Sequence, residues 1–280
     1  MVDSSFLSQP GASFIPNKHL TLANPAVSSG SSIAEGTPGI HVRHLSAAYR
    51  SVQALSDVSF SIEPGQLIGI FGPNGAGKST LIKAMLGLIP GVSGQAKVNS
   101  TPLTRQLDRV AYVPQRSQID WTFPASVWDV VLMGRVKKTG VLSRLSVVSR
   151  RIAAAALDRV GMADYRHRRI GDLSGGQQQR VFLARSLAQE ADLFFLDEPF
   201  VGVDQKTEDL LFTIFRELAE DGKTVIVVNH DLGKSITNFD QLILLNRHLI
   251  AAGPRDQVLT PDNMTRAYGG HVRFFMGDAA

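Results

Sequence analysis

Residues that could take part in binding or catalysis lie in the segment GIFGPNGAGKST, which ends at Thr80. Gly72, Gly77, Lys78 and Ser79 match the spacing G-x-x-x-x-G-K-[ST] of a phosphate-binding loop. Glycines at this spacing let backbone N–H groups surround phosphate oxygens, and the helix that follows adds the positive end of its dipole. Lys78 would reach the β- and γ-phosphates of a nucleotide, and the Ser79 hydroxyl would hold Mg²⁺. The predicted nucleotide-binding residues of this loop are Gly72, Pro73, Asn74, Gly75, Ala76, Gly77, Lys78, Ser79 and Thr80.

Two adjacent carboxylates, Asp197 and Glu198, follow an apolar run in the segment ADLFFLDEPF. In a sheet that also carries a phosphate-binding loop, a carboxylate at the tip of a strand can hold Mg²⁺, directly or through water. The carboxylate next to it can orient and deprotonate an attacking water molecule. The pair therefore predicts a Mg²⁺ ligand at Asp197 and a general base at Glu198.

The elements that must position these residues are short apolar runs that alternate with amphipathic stretches from Gly39 onwards. Several runs are apolar on both faces, which is typical of strands in a sheet that is covered on each side. The runs are QLIGIFG, RVAYVP, DLFFLD, TVIVVNH, QLILLN and HLIAAG. After Asp204, helical spacing with a terminal Gly222 predicts a helix whose buried face is Leu211, Ile214, Phe215 and Leu218. Strands that alternate with helices predict an α/β fold with a largely parallel sheet.

An antiparallel β element is predicted ahead of this sheet in the chain. The segments HVRHLSAAY and ALSDVSFSIEPG alternate between polar and apolar residues and lie close together in the chain.

The 280 residues are 44% hydrophobic, enough for a sizeable core, and the net charge of +4 is too small to indicate a nucleic-acid partner. The chain has no cysteine, which excludes disulfides and thiolate metal sites.

Neither a membrane span nor a signal peptide is evident, so we expect a cytoplasmic protein. Residues 1–38 are rich in Ser, Pro, Gly and Ala and have no periodicity, so we expect a disordered N-terminal tail there.

A third motif, LSGGQ, occupies Leu173, Ser174, Gly175, Gly176 and Gln177. With these residues the chain resembles the ATP-binding subunits of ABC transporters, whose signature sequence is LSGGQ. The resemblance implies an α/β, ABC-type P-loop ATPase with a mostly parallel core sheet, an antiparallel β element near the N-terminus and an inserted helical subdomain. It implies an ATPase domain at 39–271, a helical subdomain at about 116–180 and a C-terminal tail at 272–280.

Roles for four further residues follow from this resemblance, together with ATP and Mg²⁺ as cofactors. Tyr49 resembles the aromatic residue that stacks on adenine. Gln115, in YVPQ, resembles the glutamine that senses Mg²⁺ and water and links to the membrane partner. Asp204, with the two residues before it, resembles the loop that follows the paired carboxylates. His230, in VIVVNHD, is similar to the histidine that contacts the γ-phosphate.

The signature residues form a second predicted phosphate-binding helix start. Ser174 and the two glycines precede the helical pattern QQQRVFLARSLAQ, so free N–H groups are expected at its beginning. The resemblance implies that two copies of the chain pack head to tail. Each ATP would then lie between the phosphate loop of one copy and Ser174, Gly175, Gly176 and Gln177 of the other.

The segment IDWTFPASVWDVVLMGR, residues 119–135, contains both tryptophans of the chain. The resemblance places it in the helical subdomain, whose groove receives a short helix of a membrane-spanning permease subunit. Aromatic residues on such a surface act as anchors for a partner, but they can also fill a small core. We expect Val127, Val130 and Val131 to be mostly core and some of the aromatic side chains, Trp121 and Phe123 foremost, to be exposed for docking near residues 115–135.

The sequence of this segment, together with two others, indicates a subfamily within these ATP-binding subunits. The stretches VPQRSQIDWTFPASVWDVVLMGR, DEPFVGVDQKTE and LILLNRHLIAAG resemble those of importers of manganese, zinc or iron ions. Such a subunit would act on the inner face of the cell membrane, with an extracytoplasmic metal-binding protein as an indirect partner. ATPases for chelated iron or cobalamin, and a non-transport ATPase such as one for iron–sulfur cluster assembly, are the alternatives.

Residues 135–169 contain ten Lys or Arg against two Asp, a local charge of +8 in a chain of +4. A solvated helical face explains this excess, and so does attraction to an anionic membrane surface. The sequence leaves both explanations open.

Overall fold

The computed structural model of the chain describes residues 39–139 and 145–269. The predicted disordered tail at 1–38 and the predicted C-terminal tail at 272–280 lie outside the described residues, so both stay predictions.

A four-stranded antiparallel sheet forms the first part of the described fold. Its strands are β1 (Ile40–Tyr49), β2 (Val52–Ile62), β4 (Val92–Val98) and β5 (Thr101–Pro102), in the order β2-β1-β4-β5. Alternate residues of β1 are buried, which is the pattern of a strand with one covered face. The antiparallel element predicted from the sequence is confirmed.

A six-stranded, mostly parallel sheet carries the candidate site. Its strands are β3 (Leu67–Phe71), β6 (Val110–Val113), β7 (Leu193–Asp197), β8 (Thr224–Val228), β9 (Gln241–Asn246) and β10 (His248–Pro254), in the order β10-β9-β3-β8-β7-β6. Only the pairing of β10 with β9 is antiparallel within the described sheet. Every residue of β3, β7 and β8 is buried, as their unbroken apolar runs predicted.

Helices pack on the six-stranded sheet, and four of the described helices, α2 to α5, lie between β6 and β7 in the chain. They are α1 (Lys78–Met85), α2 (Val127–Met133), α3 (Val136–Thr139), α4 (Val147–Arg159), α5 (Gly175–Ala188), α6 (Gln205–Glu220), α7 (Arg255–Val258) and α8 (Pro261–Tyr268). Short 3-10 turns occupy Leu103–Arg105, Leu107–Arg109, Arg116–Gln118, Ala163–Tyr165, Ile170–Asp172 and Lys234–Asn238. None of the described helices has the length and apolar character needed to cross a bilayer.

Two hydrophobic cores lie on opposite faces of the six-stranded sheet. Strand β3 shows why, because Leu67 and Phe71 belong to one core while Ile68 and Ile70 belong to the other. The first core also contains apolar residues of α2, α4, α5 and α6, and the second contains residues of α1 and the antiparallel sheet. The strand ends that bear Asp197 and the loop before α1 are therefore fixed by packing on both sides.

Helix α6 confirms the sequence prediction for the region after Asp204. The Asp204 side chain caps the helix by accepting a hydrogen bond from the Thr207 N–H at 2.7 Å. The four predicted apolar residues are all buried, and Gly222 follows the helix with φ 79°. Burial of each such side chain contributes about 1.5–3 kcal/mol.

Candidate active site

The loop between β3 and α1 depends on two glycines whose neighbours leave no room for a side chain. Gly72 has φ 149°, and a Cβ atom there would lie 2.0 Å from the Leu245 carbonyl oxygen. Gly77 has φ 92° at the start of α1, and its Cβ would lie 2.7 Å from the Ala54 carbonyl oxygen. Both positions combine a left-handed backbone with a close approach, so only glycine fits them. The phosphate-binding pattern thus has the strand–loop–helix setting that its chemistry requires.

Lys78 is buried at the first position of α1. Its ammonium donates hydrogen bonds to the carbonyl oxygens of Gly72 at 2.7 Å and Pro73 at 3.0 Å. Burial lowers the pKa of the Lys78 ammonium, while the charges of Glu198 and Asp197 oppose that change. The side chain is therefore held against the loop itself, where a bound phosphate group would lie.

Ser79 and Asp197 form the pair that could hold Mg²⁺. The Ser79 hydroxyl donates a hydrogen bond to Asp197 Oδ1 at 2.7 Å. Asp197 Oδ2 is buried and has no hydrogen-bond partner among the described residues. Burial raises the pKa of Asp197, the hydrogen bond from Ser79 lowers it, and the charge of Glu198 raises it further. A buried carboxylate oxygen without a donor, beside a hydroxyl oxygen, suits a hard cation such as Mg²⁺.

Glu198 follows β7 in a strained conformation and meets Gln115. Its φ is 52°, a left-handed value that costs a non-glycine residue about 1–3 kcal/mol. Its backbone N–H donates to the Val228 carbonyl at 3.2 Å, which ties it to the end of β8. The Gln115 amide donates a hydrogen bond to Glu198 Oε2 at 2.6 Å. The structure thus brings three predicted site residues, Gln115, Asp197 and Glu198, to one end of the sheet.

The signature residues form a capped helix start. The Ser174 hydroxyl accepts a hydrogen bond from the Gln177 N–H, and the Gln177 side chain accepts one from the Ser174 N–H, so the two residues form a capping box. The N–H groups of Gly175 and Gly176, in the first turn, have no partner within the helix. This end of α5 therefore presents backbone donors of the kind that bind an anion, and its role in binding phosphate stays a prediction.

Both of these glycines pack closely against the residues around the start of α6. A Cβ atom on Gly175 would lie 3.1 Å from the Gly202 carbonyl oxygen, and one on Gly176 would lie 3.2 Å from Thr207 Oγ1. The loop before α6 therefore presses against the signature helix start within one chain. Asp204, predicted to lie near nucleotide, caps α6 in this loop.

Arg116 contacts the helix that begins at the signature, and sequence reasoning missed it. Its guanidinium donates two hydrogen bonds to Gln178 Oε1 on α5, at 3.1 and 3.0 Å. Because Gln115 contacts Glu198, two consecutive residues reach the predicted general base and the helix of the signature. Within residues 39–139 and 145–269, no hydrogen bond joins the loop at 72–80 directly to the signature at 173–177. The sole signal for Arg116 in the sequence is its position beside Gln115.

Tyr49 and His230 lie at the ends of strands, where their predicted roles remain predictions. Tyr49 ends β1 and is 43% exposed, as a ring that stacks on a base would be. His230 comes two residues after β8 and is exposed, and its ring makes no hydrogen bond to another described residue. Strand β8 pairs in parallel with β7, so His230 lies at the same end of the sheet as Asp197.

The aromatic segment at 119–135 is divided between core and surface. Val127, Val130 and Val131 are buried, as predicted, and Phe123 is 56% exposed. The prediction that Trp121 is free for docking is wrong in part. Its ring packs edge-on against Phe182 with centroids 5.5 Å apart, and its indole N–H donates to the Arg116 carbonyl at 3.1 Å.

The basic residues of the 135–169 segment are likewise divided between buried and exposed positions. Arg135 is buried and donates to the Ala188 carbonyl and to Glu190. Arg150 and Arg151, on α4, are exposed, as a solvated or membrane-facing surface requires. The structure favours neither explanation of the charge excess.

Known proteins resemble the chain over most of its length. Residues 55–201 match the family profile described as ABC transporter. The manganese transport system ATP-binding protein MntB of Bacillus subtilis (strain 168) is 49% identical over 235 residues, covering 84% of this chain and 94% of that protein. The zinc transport system ATP-binding protein TroB of Treponema pallidum (strain Nichols) is 48% identical over 233 residues, covering 83% and 88%.

A solved structure shares the fold as well. A chain of a metal-chelate type ABC transporter in an inward-facing conformation superposes with a TM-score of 0.72 at 26% identity. The match covers 82% of this chain and 89% of that chain.

Proposed function

Because this chain belongs to the ABC transporter family, we propose that it hydrolyses ATP with Mg²⁺ to drive import of divalent metal ions, with manganese, zinc or iron as substrate. The observation that carries the proposal is a set of two hydrogen-bonded pairs at one end of the sheet, Ser79 with Asp197 and Gln115 with Glu198, which has the parts that hydrolysis needs. The choice of ion import rests on the similarity to the manganese and zinc proteins MntB and TroB.

Each residue of the set has a separate task in hydrolysis. Lys78 and the N–H groups of the loop bind the phosphates, and the Ser79 and Asp197 oxygens hold Mg²⁺. Bound Mg²⁺ would neutralise charge on the transferring phosphoryl group. Glu198 accepts a proton from the attacking water, and the Gln115 amide keeps the carboxylate in place. His230, at the same end of the sheet, contacts the γ-phosphate.

The site is completed by a second copy of the chain. The first-turn N–H groups of Gly175 and Gly176 are free to bind an anion, yet no hydrogen bond of the described chain joins them to the loop at 72–80. A head-to-tail homodimer uses both features, because each signature then binds the ATP held by the other copy. Tyr49 stacks on the adenine of the same copy.

A membrane permease is the other partner, as expected for the ATP-binding component of a transport system. It docks near residues 115–135, where Phe123 and Met133 are exposed. The subunit would thus be cytoplasmic, bound to the inner face of the cell membrane. Transport also involves an extracytoplasmic metal-binding protein, which the chain does not touch, and no nucleic acid takes part.

Chelated-iron or cobalamin import is the closest alternative. The solved metal-chelate type transporter supports it, but at 26% identity, against 49% and 48% for the manganese and zinc proteins. Ion import is therefore preferred over it. Iron–sulfur cluster assembly is disfavoured because that ATPase needs no permease and so no exposed docking aromatic.

Metal content of cells that lack the chain tests this function. We expect manganese or zinc, measured by elemental analysis, to fall, and to recover with the unmodified chain but not with Glu198→Gln. Unchanged metals, combined with loss of siderophore-dependent growth, would instead support the chelate alternative.

Phe123→Ala and Trp121→Ala should separate docking from stability. Phe123→Ala removes an exposed ring, so we expect an unchanged melting temperature and about thirtyfold weaker binding to the permease, the usual effect of losing an interface anchor. Trp121→Ala removes the contact with Phe182 and should lower the free energy of unfolding by about 1–3 kcal/mol. Thermal melts and co-purification with the permease measure the two effects. A stable Trp121→Ala variant, or full assembly by Phe123→Ala, contradicts this division.

A further inference from the structure

The tight turn between β9 and β10 packs against the phosphate-binding loop. We call residues 245–248 the β9–β10 turn. The Arg247 N–H donates a hydrogen bond to the Ala76 carbonyl oxygen at 2.8 Å. The Leu245 carbonyl oxygen occupies the space beside Gly72, only 2.0 Å from where a Cβ atom would lie. The turn therefore contacts the loop near its beginning and near its end.

Helix α8 is joined to the same turn. The Asn246 side-chain amide donates a hydrogen bond to the Ala267 carbonyl oxygen at 3.0 Å. Met264, Ala267 and Tyr268 follow the spacing i, i+3 and i+4, so they lie on one face of the helix. Met264 and Ala267 are buried, and the Tyr268 ring packs against the first core. Successive residues of one turn thus contact the phosphate-binding loop and the last turn of α8.

The Tyr268 hydroxyl is a buried polar group at this junction. It has no hydrogen-bond partner among the described residues. Burial raises the pKa of Tyr268 to about 12, and the backbone N–H of Gly72 opposes this rise. The hydroxyl oxygen therefore lies near the Gly72 N–H, in a geometry that falls short of a hydrogen bond. A buried hydroxyl without a partner costs free energy, and a phenylalanine ring would fill the same space without that cost.

The start of the loop loses contacts when ATP binds. In this structure the Lys78 ammonium donates to the carbonyl oxygens of Gly72 and Pro73. A phosphate group that pairs with Lys78 takes the ammonium away from these oxygens. A hydrogen bond from the Gly72 N–H to the Tyr268 hydroxyl would then hold this part of the loop, and a site held in its bound conformation binds more tightly.

We propose that Tyr268 is a positioning residue for ATP binding, whose hydroxyl accepts a hydrogen bond from the Gly72 N–H once phosphate has engaged Lys78. Helix α8 thereby supports the phosphate-binding loop in its nucleotide-bound position. The inference rests on the proposed function, since it concerns the loop that holds ATP. It assigns the hydroxyl opposite effects in two states, unfavourable in the nucleotide-free subunit and favourable in the ATP-bound one. Tyr268 acts on affinity, because the residues assigned to hydrolysis lie on other strands.

Tyr268→Phe tests both effects in the purified full-length subunit. We expect an unchanged or higher melting temperature without nucleotide, because the hydroxyl that is removed has no partner there. Affinity for a non-hydrolysable ATP analogue should fall about 3- to 10-fold, the usual effect of losing one hydrogen bond. The KM for ATP should rise by the same factor while kcat stays unchanged. Thermal melts, calorimetric titration and steady-state hydrolysis measure these quantities.

Tyr165→Phe is the matched control. It removes a hydroxyl from a ring of the helical subdomain that contacts the Arg168 guanidinium, and it should leave all of these quantities unchanged. Asn246→Ala tests the support by α8 separately, because it breaks the hydrogen bond to the Ala267 carbonyl. We expect this variant to melt a few degrees lower and also to bind the ATP analogue more weakly.

Hydrogen–deuterium exchange of the backbone amides at 72–76 gives a readout that a merely structural role would not change. Exchange in Tyr268→Phe should match the unmodified chain without nucleotide and should be faster with the analogue bound. Unchanged affinity of Tyr268→Phe, a lower melting temperature without nucleotide, or a fall in kcat at saturating ATP would each overturn the positioning role. Absence of ATP binding by the unmodified chain would instead refute the proposed function, and the role of Tyr268 with it.

Discussion

Glu198→Gln will hydrolyse ATP about 10²- to 10⁴-fold more slowly than the unmodified chain, the usual contribution of a general base. The variant should bind ATP with nearly unchanged affinity, since Lys78 and the loop at 72–80 hold the phosphates. Glutamine keeps the shape of Glu198 and can still accept the hydrogen bond from Gln115 through its amide oxygen. Phosphate release and binding of a fluorescent ATP analogue measure the two quantities.

The same variant should accumulate as an ATP-linked dimer, because the nucleotide that bridges two copies is no longer cleaved. Size-exclusion chromatography with Mg²⁺ and ATP will show this. Glu220→Gln, at the exposed end of α6, is the control and should behave like the unmodified chain. Near-normal turnover by Glu198→Gln would remove Glu198 from the role of general base.

Lys78→Ala and Ser174→Arg should separate the two phosphate sites. Lys78→Ala removes charge-assisted hydrogen bonds to phosphate, each of about 1.5–3 kcal/mol, so nucleotide binding should become undetectable at micromolar protein. Ser174→Arg places a bulky side chain at the signature and should leave ATP binding by the monomer intact. It should block ATP-dependent dimer formation completely.

Calorimetric titration of monomers with ATP, followed by chromatography with Mg²⁺ and ATP, measures both outcomes. Lys206→Ala, which removes an exposed lysine of α6, serves as the control for Lys78→Ala. If Ser174→Arg weakened ATP binding by the monomer as severely as Lys78→Ala, the head-to-tail arrangement would be wrong.

Local patterns were enough to predict the framework of the site. Strands β3, β7 and β8 could be located because a strand buried on both faces is apolar over most of its length. The loop before α1 could be located from the short, fixed spacing of its glycines. The start of α5 could be located from its capping serine and the glycines that follow it. The comparison proteins then supported the family that these motifs indicated.

Contacts between distant residues could not be predicted in this way. The hydrogen bonds from Arg116 to Gln178 join positions 62 apart, and no periodicity specifies them. For the same reason the sequence did not separate Trp121 from Phe123, since only the position of Phe182 makes one ring structural and leaves the other exposed.

Metal transport by the reconstituted assembly tests the central claim most directly. The subunit, its permease and the metal-binding protein would be placed in proteoliposomes with ATP on the side of the subunit, and uptake of radioactive manganese or zinc followed. We expect ATP-dependent accumulation of the free ion, abolished by Glu198→Gln and unaffected by Glu220→Gln. Hydrolysis of ATP without accumulation of either ion, together with uptake of a ferric chelate or cobalamin by the same vesicles, would contradict it.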